Sequence, residues 1–330
     1  MKTIAIVAGG DSSEHDVSMR SAQGIFSFMN HDKYKVYVVE IKGTAWEAIL
    51  ADGKRVAVDR NDFSFSDNGK KITPDYCYIT IHGTPGENGI LQGYFDLIRM
   101  PYSTSDVLVE SMTFNKFTLN QYLKGFGVPV SESLIVRKGQ QMPSDEAIIA
   151  KVGLPCFVKP NAGGSSFGVS KVKKTEELQA AIAKAMNESD EVMIEAEMKG
   201  TEISVGCFKT KKGNVVLPAT EVVSENEFFD YDAKYNGQVQ EITPARLSDE
   251  TTAKVRQMVS EIYDILHANG IIRIDYIIKN PYTPAEAKIR MLEINTTPGM
   301  TQTSFIPQQV RAAGLDIGEV LKEIVENQFS

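Results

Sequence analysis

Two apolar runs near the carboxyl end, Ile271-Ile272-Arg273-Ile274-Asp275-Tyr276-Ile277-Ile278 and Ile289-Arg290-Met291-Leu292-Glu293-Ile294-Asn295, constrain this chain more than any other feature. Both read as strands, and the turn-rich segment between them carries Asn280-Pro281 and Thr283-Pro284, so a β-hairpin is the economical reading. Strand side chains alternate faces, which puts Arg273 with Asp275 on one face of the first arm and Glu293 with Asn295 on one face of the second. Four polar groups can thus converge between apolar neighbours. Two carboxylates and a carboxamide are hard oxygen ligands suited to Mg²⁺, while the lack of histidine and thiolate in the set argues against zinc. Alternation alone serves equally well for the solvated outer face of an amphipathic hairpin. The following Thr296-Thr297-Pro298-Gly299-Met300-Thr301 weighs toward a site, since such a turn can present backbone N–H groups to an anion.

The rest of the chain reads as α/β. Ile4 to Ala8 is a buried parallel strand, Gly9-Gly10 turns it, and a helix begins near Ser13, where Ser13 and Asp16 fit a capping box. Tyr34 to Ile41 and Tyr76 to Ile81 supply further strands of a Rossmann-like first third, the latter ending at His82-Gly83. A helix is expected from Thr113 to Lys124. Two short strands, Pro155 to Lys159 and Val169 to Val172, flank a glycine-rich loop, and Val192 to Glu195 is another strand. Residues 224 to 241 lack periodicity but hold Phe228, Phe229, Tyr231 and Tyr235, as an ordered lid would. Ser248 opens the clearest helix, with Val255, Met258, Val259, Ile262, Ile265 and Leu266 on one face and Asn269-Gly270 closing it. At 330 residues the chain suits two or three domains of roughly 100 to 200 residues each. They are expected at 1–104, 105–194 and 195–330.

A net charge of -8 opposes broad attraction to nucleic acid or an anionic membrane. Cys77, Cys156 and Cys207 are odd in number and far apart, which suits a reducing cytoplasm, and no signal peptide or membrane-spanning run is expected. If magnesium carries a nucleotide, Lys116, Lys159 and Lys234 are candidates for its phosphates, although any one lysine reads as well as solvated surface. Lys159 stands out because it ends an apolar strand just before the glycine-rich loop, where small residues let backbone amides approach a phosphate. That loop lacks the Walker order, the first glycine turn is not GxGxxG, and no serine sits in a GxSxG elbow, so P-loop, nicotinamide and serine-hydrolase readings are poorly supported. Glu14, at a helix start beside a strand's carboxyl end, reads as dipole compensation or as a holder of an ammonium.

These pieces resemble the D-alanine:D-alanine ligases of the ATP-grasp superfamily. The resemblance runs in order through Gly9-Gly10-Asp11-Ser12-Ser13-Glu14-His15-Asp16-Val17-Ser18, His82-Gly83-Thr84-Pro85-Gly86-Glu87-Asn88-Gly89, Lys159-Pro160, Gly164-Ser165-Ser166-Phe167-Gly168, Tyr231 to Tyr235, Arg273-Ile274-Asp275 and Glu293 to Met300. It implies an ATP-grasp fold behind a Rossmann-like domain, and ligation of two D-alanines through an acyl phosphate for peptidoglycan precursors. D-lactate or D-serine as second substrate, or a non-catalytic nucleotide-binding regulator, are the alternatives. By the same resemblance Glu14 would hold the first D-alanine's ammonium in a triad with Ser165 and Tyr235, with His82 near its carboxylate. Lys116, Lys159, Lys234 and the loop serines Ser165 and Ser166 would bind phosphates. Glu195 and Glu202 would contact adenine and ribose, and the backbone at Glu197 and Met198 would line the adenine slot. Asp275, Glu293 and Asn295 would ligate two Mg²⁺, for which Mn²⁺ could substitute. Arg273 and the Gly299 amide would stabilise the oxyanion, and Ser304 with Phe305 would take the second D-alanine's carboxylate. A homodimer is implied. The chain departs from the family at Asn88 for aspartate, Phe167 for a smaller aliphatic, and Ala196 for lysine, which puts one adenine contact in doubt.

Overall fold

The computed structural model describes residues 1–164, 167–224 and 239–329. Ser165, Ser166, Lys234, Tyr235 and the remaining lid aromatics lie outside the described residues.

The opening apolar run forms β1 (Lys2–Gly9), in which Ile4 to Ala8 are fully buried. It is followed by α1 (His15–Phe28), β2 (Tyr34–Lys42), β3 (Ala45–Ile49), β4 (Arg55–Ala57), β5 (Phe65–Asp67), β6 (Lys70–Ile72), β7 (Tyr76–Ile79) and α2 (Ile90–Leu97). The sheet order is β4-β3-β2-β1-β7, with β1 parallel to both β2 and β7 and the antiparallel β3 and β4 closing one edge. This is the expected Rossmann-like first third. Two local expectations fail. The capping box at Ser13 and Asp16 does not form, because Ser12 takes the role: its hydroxyl accepts from the Glu14 N–H at 3.2 Å while donating to the His82 carbonyl at 2.7 Å. The strand from Tyr76 stops at Ile79, where the Ser18 hydroxyl captures the Thr80 carbonyl at 2.7 Å.

The predicted helix over 113–124 is two helices, α3 (Val107–Phe114) and α4 (Lys116–Gly125). Asn115 breaks it, leaving helical geometry to cap α4 by accepting from the Thr118 N–H at 2.9 Å. Then come β8 (Ser133–Arg137), α5 (Asp145–Val152), β9 (Cys156–Pro160), β10 (Ser170–Val172), α6 (Leu178–Met186) and β11 (Glu191–Ala196), whose strands form an antiparallel sheet ordered β10-β9-β11-β8. The two strands flanking the glycine-rich loop pair as a hairpin, as the sequence suggests.

The last part contains β12 (Thr201–Thr210), β13 (Gly213–Val216), β14 (Thr220–Ser224), β15 (Val239–Ile242), α7 (Asp249–Ile265), β16 (Ile271–Lys279), β17 (Lys288–Asn295), α8 (Phe305–Ala312) and α9 (Ile317–Asn327). Its sheet runs β15-β14-β12-β16-β17, with β13 added to β12. Ser248 caps α7 through the Thr251 N–H, and Val255, Val259 and Ile262 are buried as the periodicity requires. The helix ends earlier than Asn269-Gly270, however: His267 already takes a left-handed φ of 55°. Gly270 serves a different purpose, passing so close beneath the Ser103 carbonyl that a Cβ there would sit 1.9 Å from its oxygen.

The cores do not follow chain order. Residues of α3 and α4 (Val109, Met112, Leu119, Leu123) pack with β12, α7 and β16, whereas Ile306 and Val310 of α8 and Leu321 and Ile324 of α9 pack against Ile4 and Ile6 of β1. Among the described residues no helix is long and apolar enough to cross a membrane.

Gly270→Ala is expected to destabilise the protein by about 2 kcal/mol or more, since it adds both left-handed strain and a backbone clash. Urea unfolding midpoints of the two proteins measure this.

Candidate active site

The hairpin arms β16 and β17 pair with Arg273 opposite Asn295 and Asp275 opposite Glu293, and the register slips just after Asp275. Directly opposed residues share a face, so all four polar groups stand together. Within this face Asp275 is only 5% exposed, whereas the Glu293 side chain is 38% exposed. The Asp275 carboxylate accepts from Arg273 Nε at 3.0 Å and Nη2 at 2.7 Å, and from the Ser204 hydroxyl on β12 at 2.6 Å. Arg273 also lies 3.8 Å from Glu293 and over the Phe305 ring. Burial works against the guanidinium's charge, but Asp275 and Glu293 raise its pKa above the ordinary arginine value.

Facing the hairpin across a cleft of about 950 Å³ is the central sheet. Lys159 on β9 donates to Glu195 on β11 at 2.6 Å, both nearly inaccessible. Lys116, the first residue of α4, donates to the Gly163 carbonyl at 2.6 Å, and burial lowers its pKa. Glu14 reaches the same loop: a Cβ on Gly164 would meet its Oε2 at 2.6 Å. Glu195, Glu197, Met198 and Glu202 line the cleft, and the Glu197 carboxylate pairs with Lys171 on β10 at 2.8 Å. The structure thus brings Glu14, His82, Lys116, Lys159, Glu195, Glu197, Met198, Glu202, Arg273, Asp275, Glu293, Asn295 and Phe305 to one cleft.

The turn after β17 is docked on the first unit. The Thr297 hydroxyl donates to the Ile81 carbonyl at 3.0 Å, and the Met300 N–H to the Ser21 hydroxyl at 3.3 Å, which itself lies 3.4 Å from His82 Nε2. Gly24 allows the close approach, since any Cβ would strike the Met300 carbonyl at 2.2 Å. Gly299 lies inside this turn, beside Ser304, which immediately precedes α8 and shares a 2.7 Å hydrogen bond with the Thr301 hydroxyl.

Two carboxyl groups escaped the sequence reading of roles. Glu110 of α3 is fully buried, accepting from the Thr296 hydroxyl at 2.5 Å and the Ser105 N–H at 3.1 Å, and burial raises its pKa well above the usual range. Glu87 accepts from the Gly83 N–H at 2.6 Å, and burial, reinforced by the Glu14 charge, pushes its pKa up to about 7. Ser204 was also missed, although its place two residues after Glu202 on a strand was a usable signal.

An antiparallel sheet with a glycine-rich loop facing a second sheet that carries carboxylates and arginine, set behind a Rossmann-like unit, is the ATP-grasp architecture of a ligase. The chain belongs to the D-alanine–D-alanine ligase family: residues 3–105 match the family described as D-ala D-ala ligase N-terminus, and residues 122–326 the one described as D-ala D-ala ligase C-terminus. It is 66% identical to a D-alanine–D-alanine ligase of Phocaeicola vulgatus and 63% identical to one of Bacteroides fragilis, each over 99% of both chains. Among solved structures, the VanG D-Ala:D-Ser ligase of Enterococcus faecalis superposes with a TM-score of 0.87 at 28% identity, covering 98% of both chains. The D-alanine–D-alanine ligase of Bacillus anthracis complexed with ATP gives 0.78 at 25% identity, covering 100% of this chain and 98% of that one.

The folded protein keeps the Glu87 proton up to about pH 7, whereas an ordinary glutamate loses it near 4.5. Raising the pH through that window removes a proton from the unfolded chain that the folded one retains, so stability falls across it and levels off above. Glu87→Gln is expected to reduce the slope in the ligand-free protein. An unchanged slope in urea midpoints measured through this window would contradict the assignment.

Proposed function

We propose that the cleft joins two D-alanines to D-alanyl-D-alanine at the expense of ATP, for peptidoglycan precursor synthesis. The observation that carries the reading is the meeting of Arg273, Asp275, Glu293 and Asn295 with Lys116, Lys159 and Glu14 in one cleft. The high identity to curated D-alanine–D-alanine ligases supports alanine as the second substrate.

Two carboxylates and a carboxamide on one rigid hairpin, with no thiolate or imidazole among them, fit Mg²⁺, with Mn²⁺ able to substitute. Asp275, Glu293 and Asn295 would hold two such ions, whose chemistry would be to neutralise phosphate charge. Lys116 and Lys159 bind ATP phosphates, together with Lys234, Ser165 and Ser166. Glu14 holds the first D-alanine's ammonium, supported by Ser165 and Tyr235, and His82 sits by its carboxylate. That carboxylate takes the γ-phosphoryl group to give an acyl phosphate and ADP. The second D-alanine, its carboxylate held by Ser304 and beside Phe305, attacks through its amine and releases phosphate. As the amine adds, and before phosphate leaves, charge gathers on the carbonyl oxygen, where Arg273 and the Gly299 amide act. Glu195 and Glu202 contact adenine and ribose, and the backbone at Glu197 and Met198 lines the adenine slot.

We further propose a homodimer. Ile90 and Leu97, seven residues apart on α2, and Val107 and Leu108 at the start of α3 expose 61%, 85%, 38% and 71% of their surface, an apolar face that a second copy would cover.

Ligation assays with D-alanine, D-serine and D-lactate in parallel should release ADP and phosphate in a D-alanine- and Mg²⁺-dependent manner. Preference for either other acceptor would sink the alanine assignment. Arg273→Lys, which keeps a cation beside Asp275 but loses the guanidinium fork, should lower kcat by about 100-fold or more, as loss of an oxyanion partner does, with ATP still bound. Light scattering should report a dimer, and Leu97→Glu with Leu108→Glu a monomer; a monomeric unaltered chain ends the dimer proposal.

A further inference from the structure

Three side chains form a row across the cleft face of the central sheet. Phe157 on β9 is paired with Lys171 on β10 at one side and with Glu195 on β11 at the other. Side chains at opposed positions project from one face, and Phe157 and Glu195 line the cleft, so Lys171 stands on the cleft face too. Lys159, two residues along β9, shares that face one row nearer the glycine-rich loop. The row therefore belongs to the end of the cleft away from the phosphates.

Polar groups in this row are set for a ligand. The Lys171 ammonium lies 2.8 Å from Glu197 Oε1, with the two side chains 13% and 11% exposed. Glu195 spends Oε1 on Lys159, while its buried Oε2 has no hydrogen-bond partner among the described residues. A buried acceptor left in that state costs free energy unless a ligand donor meets it. An aromatic ring flanked by an ammonium donor and an open carboxylate acceptor is complementary to a flat heterocycle bearing an acceptor nitrogen beside a donor amine. Adenine has that pair, N7 and the exocyclic amine, whereas guanine offers two acceptors on the same edge. Ala196 packs against the central core and brings no cation of its own.

We propose that Lys171 reads the base: oriented by Glu197, its ammonium donates to adenine N7 while Glu195 Oε2 accepts from the exocyclic amine. Ala196 itself faces the central core, so the cation at this end of the cleft comes from β10. The inference rests on the nucleotide-site reading above, with the backbone at 197–198 taking the Watson–Crick edge.

Calorimetric titration of the Mg²⁺-loaded protein with ATP and with 7-deaza-ATP, which lacks the acceptor nitrogen, tests it directly. Loss of a charged hydrogen bond should weaken binding by about tenfold or more. Lys171→Met should weaken ATP binding by a similar factor and show no further loss with 7-deaza-ATP, Lys171→Arg should recover most of it, and the KM for D-alanine should stay unchanged in all. Equal affinity of the unaltered protein for ATP and 7-deaza-ATP overturns the contact, as does a full analogue penalty in Lys171→Met. The analogue comparison needs no variant, so a misfolded substitution leaves the test standing. Tight ATP binding without D-alanine-dependent ADP release would instead count against the proposed function and leave the Lys171 reading intact.

Discussion

The buried carboxylate of Asp275 is the group on which the rest of the cleft depends. A charge that inaccessible is strongly destabilising unless partnered, and its partners come from two strands: Arg273 from β16 itself and Ser204 from β12. β12 is in turn held by Gln309 of α8, whose amide accepts from the Gly206 N–H and donates to the Ser204 carbonyl, both at 2.8 Å. Neighbouring residues of α8, Ile306 and Val310, pack into the core beneath the parallel sheet. A continuous line of contacts therefore runs from the first apolar strand to the carboxylate. The position of one side chain near the carboxyl end is set partly by the amino-terminal fold.

The same seam holds the turn after β17 in place. It is fastened by Thr296 to Glu110, by Thr297 to Ile81 and by Met300 to Ser21, three hydrogen bonds to segments more than 180 residues earlier. Gly24 and Gly270 are both needed where one segment's backbone passes over another's carbonyl. A cleft built on such a seam gathers groups from every part of the chain, and none of the sheets could form it alone. Glu110 and Glu87 flank the seam, and burial there, which penalises the charged form, raises the pKa of both.

Legibility followed range. The hairpin and its shared face, the α7 cap at Ser248 and the parallel opening strand could be read in the sequence, because strand alternation, helix periodicity and capping are decided within a few residues. The single helix drawn through Asn115, the capping box at Ser13 and the helix end at Gly270 were misread. Each turned on a distant partner: the bridge from Asn115 to Ala162, the His82 carbonyl, and the Ser103 carbonyl.

Of the candidate site, the sequence by itself determined which chemistry was available. The hard oxygen donors on two alternating strands, the lysine before a glycine loop and the acid at a helix start are matters of residue type and local spacing. Only the tertiary structure decided that these groups face one another, that Asp275 is buried rather than solvated, and that Lys171, two strands away from Glu195, shares its face. Strand order and the docking of one sheet on another depend on long-range burial of apolar surface, which no local pattern encodes.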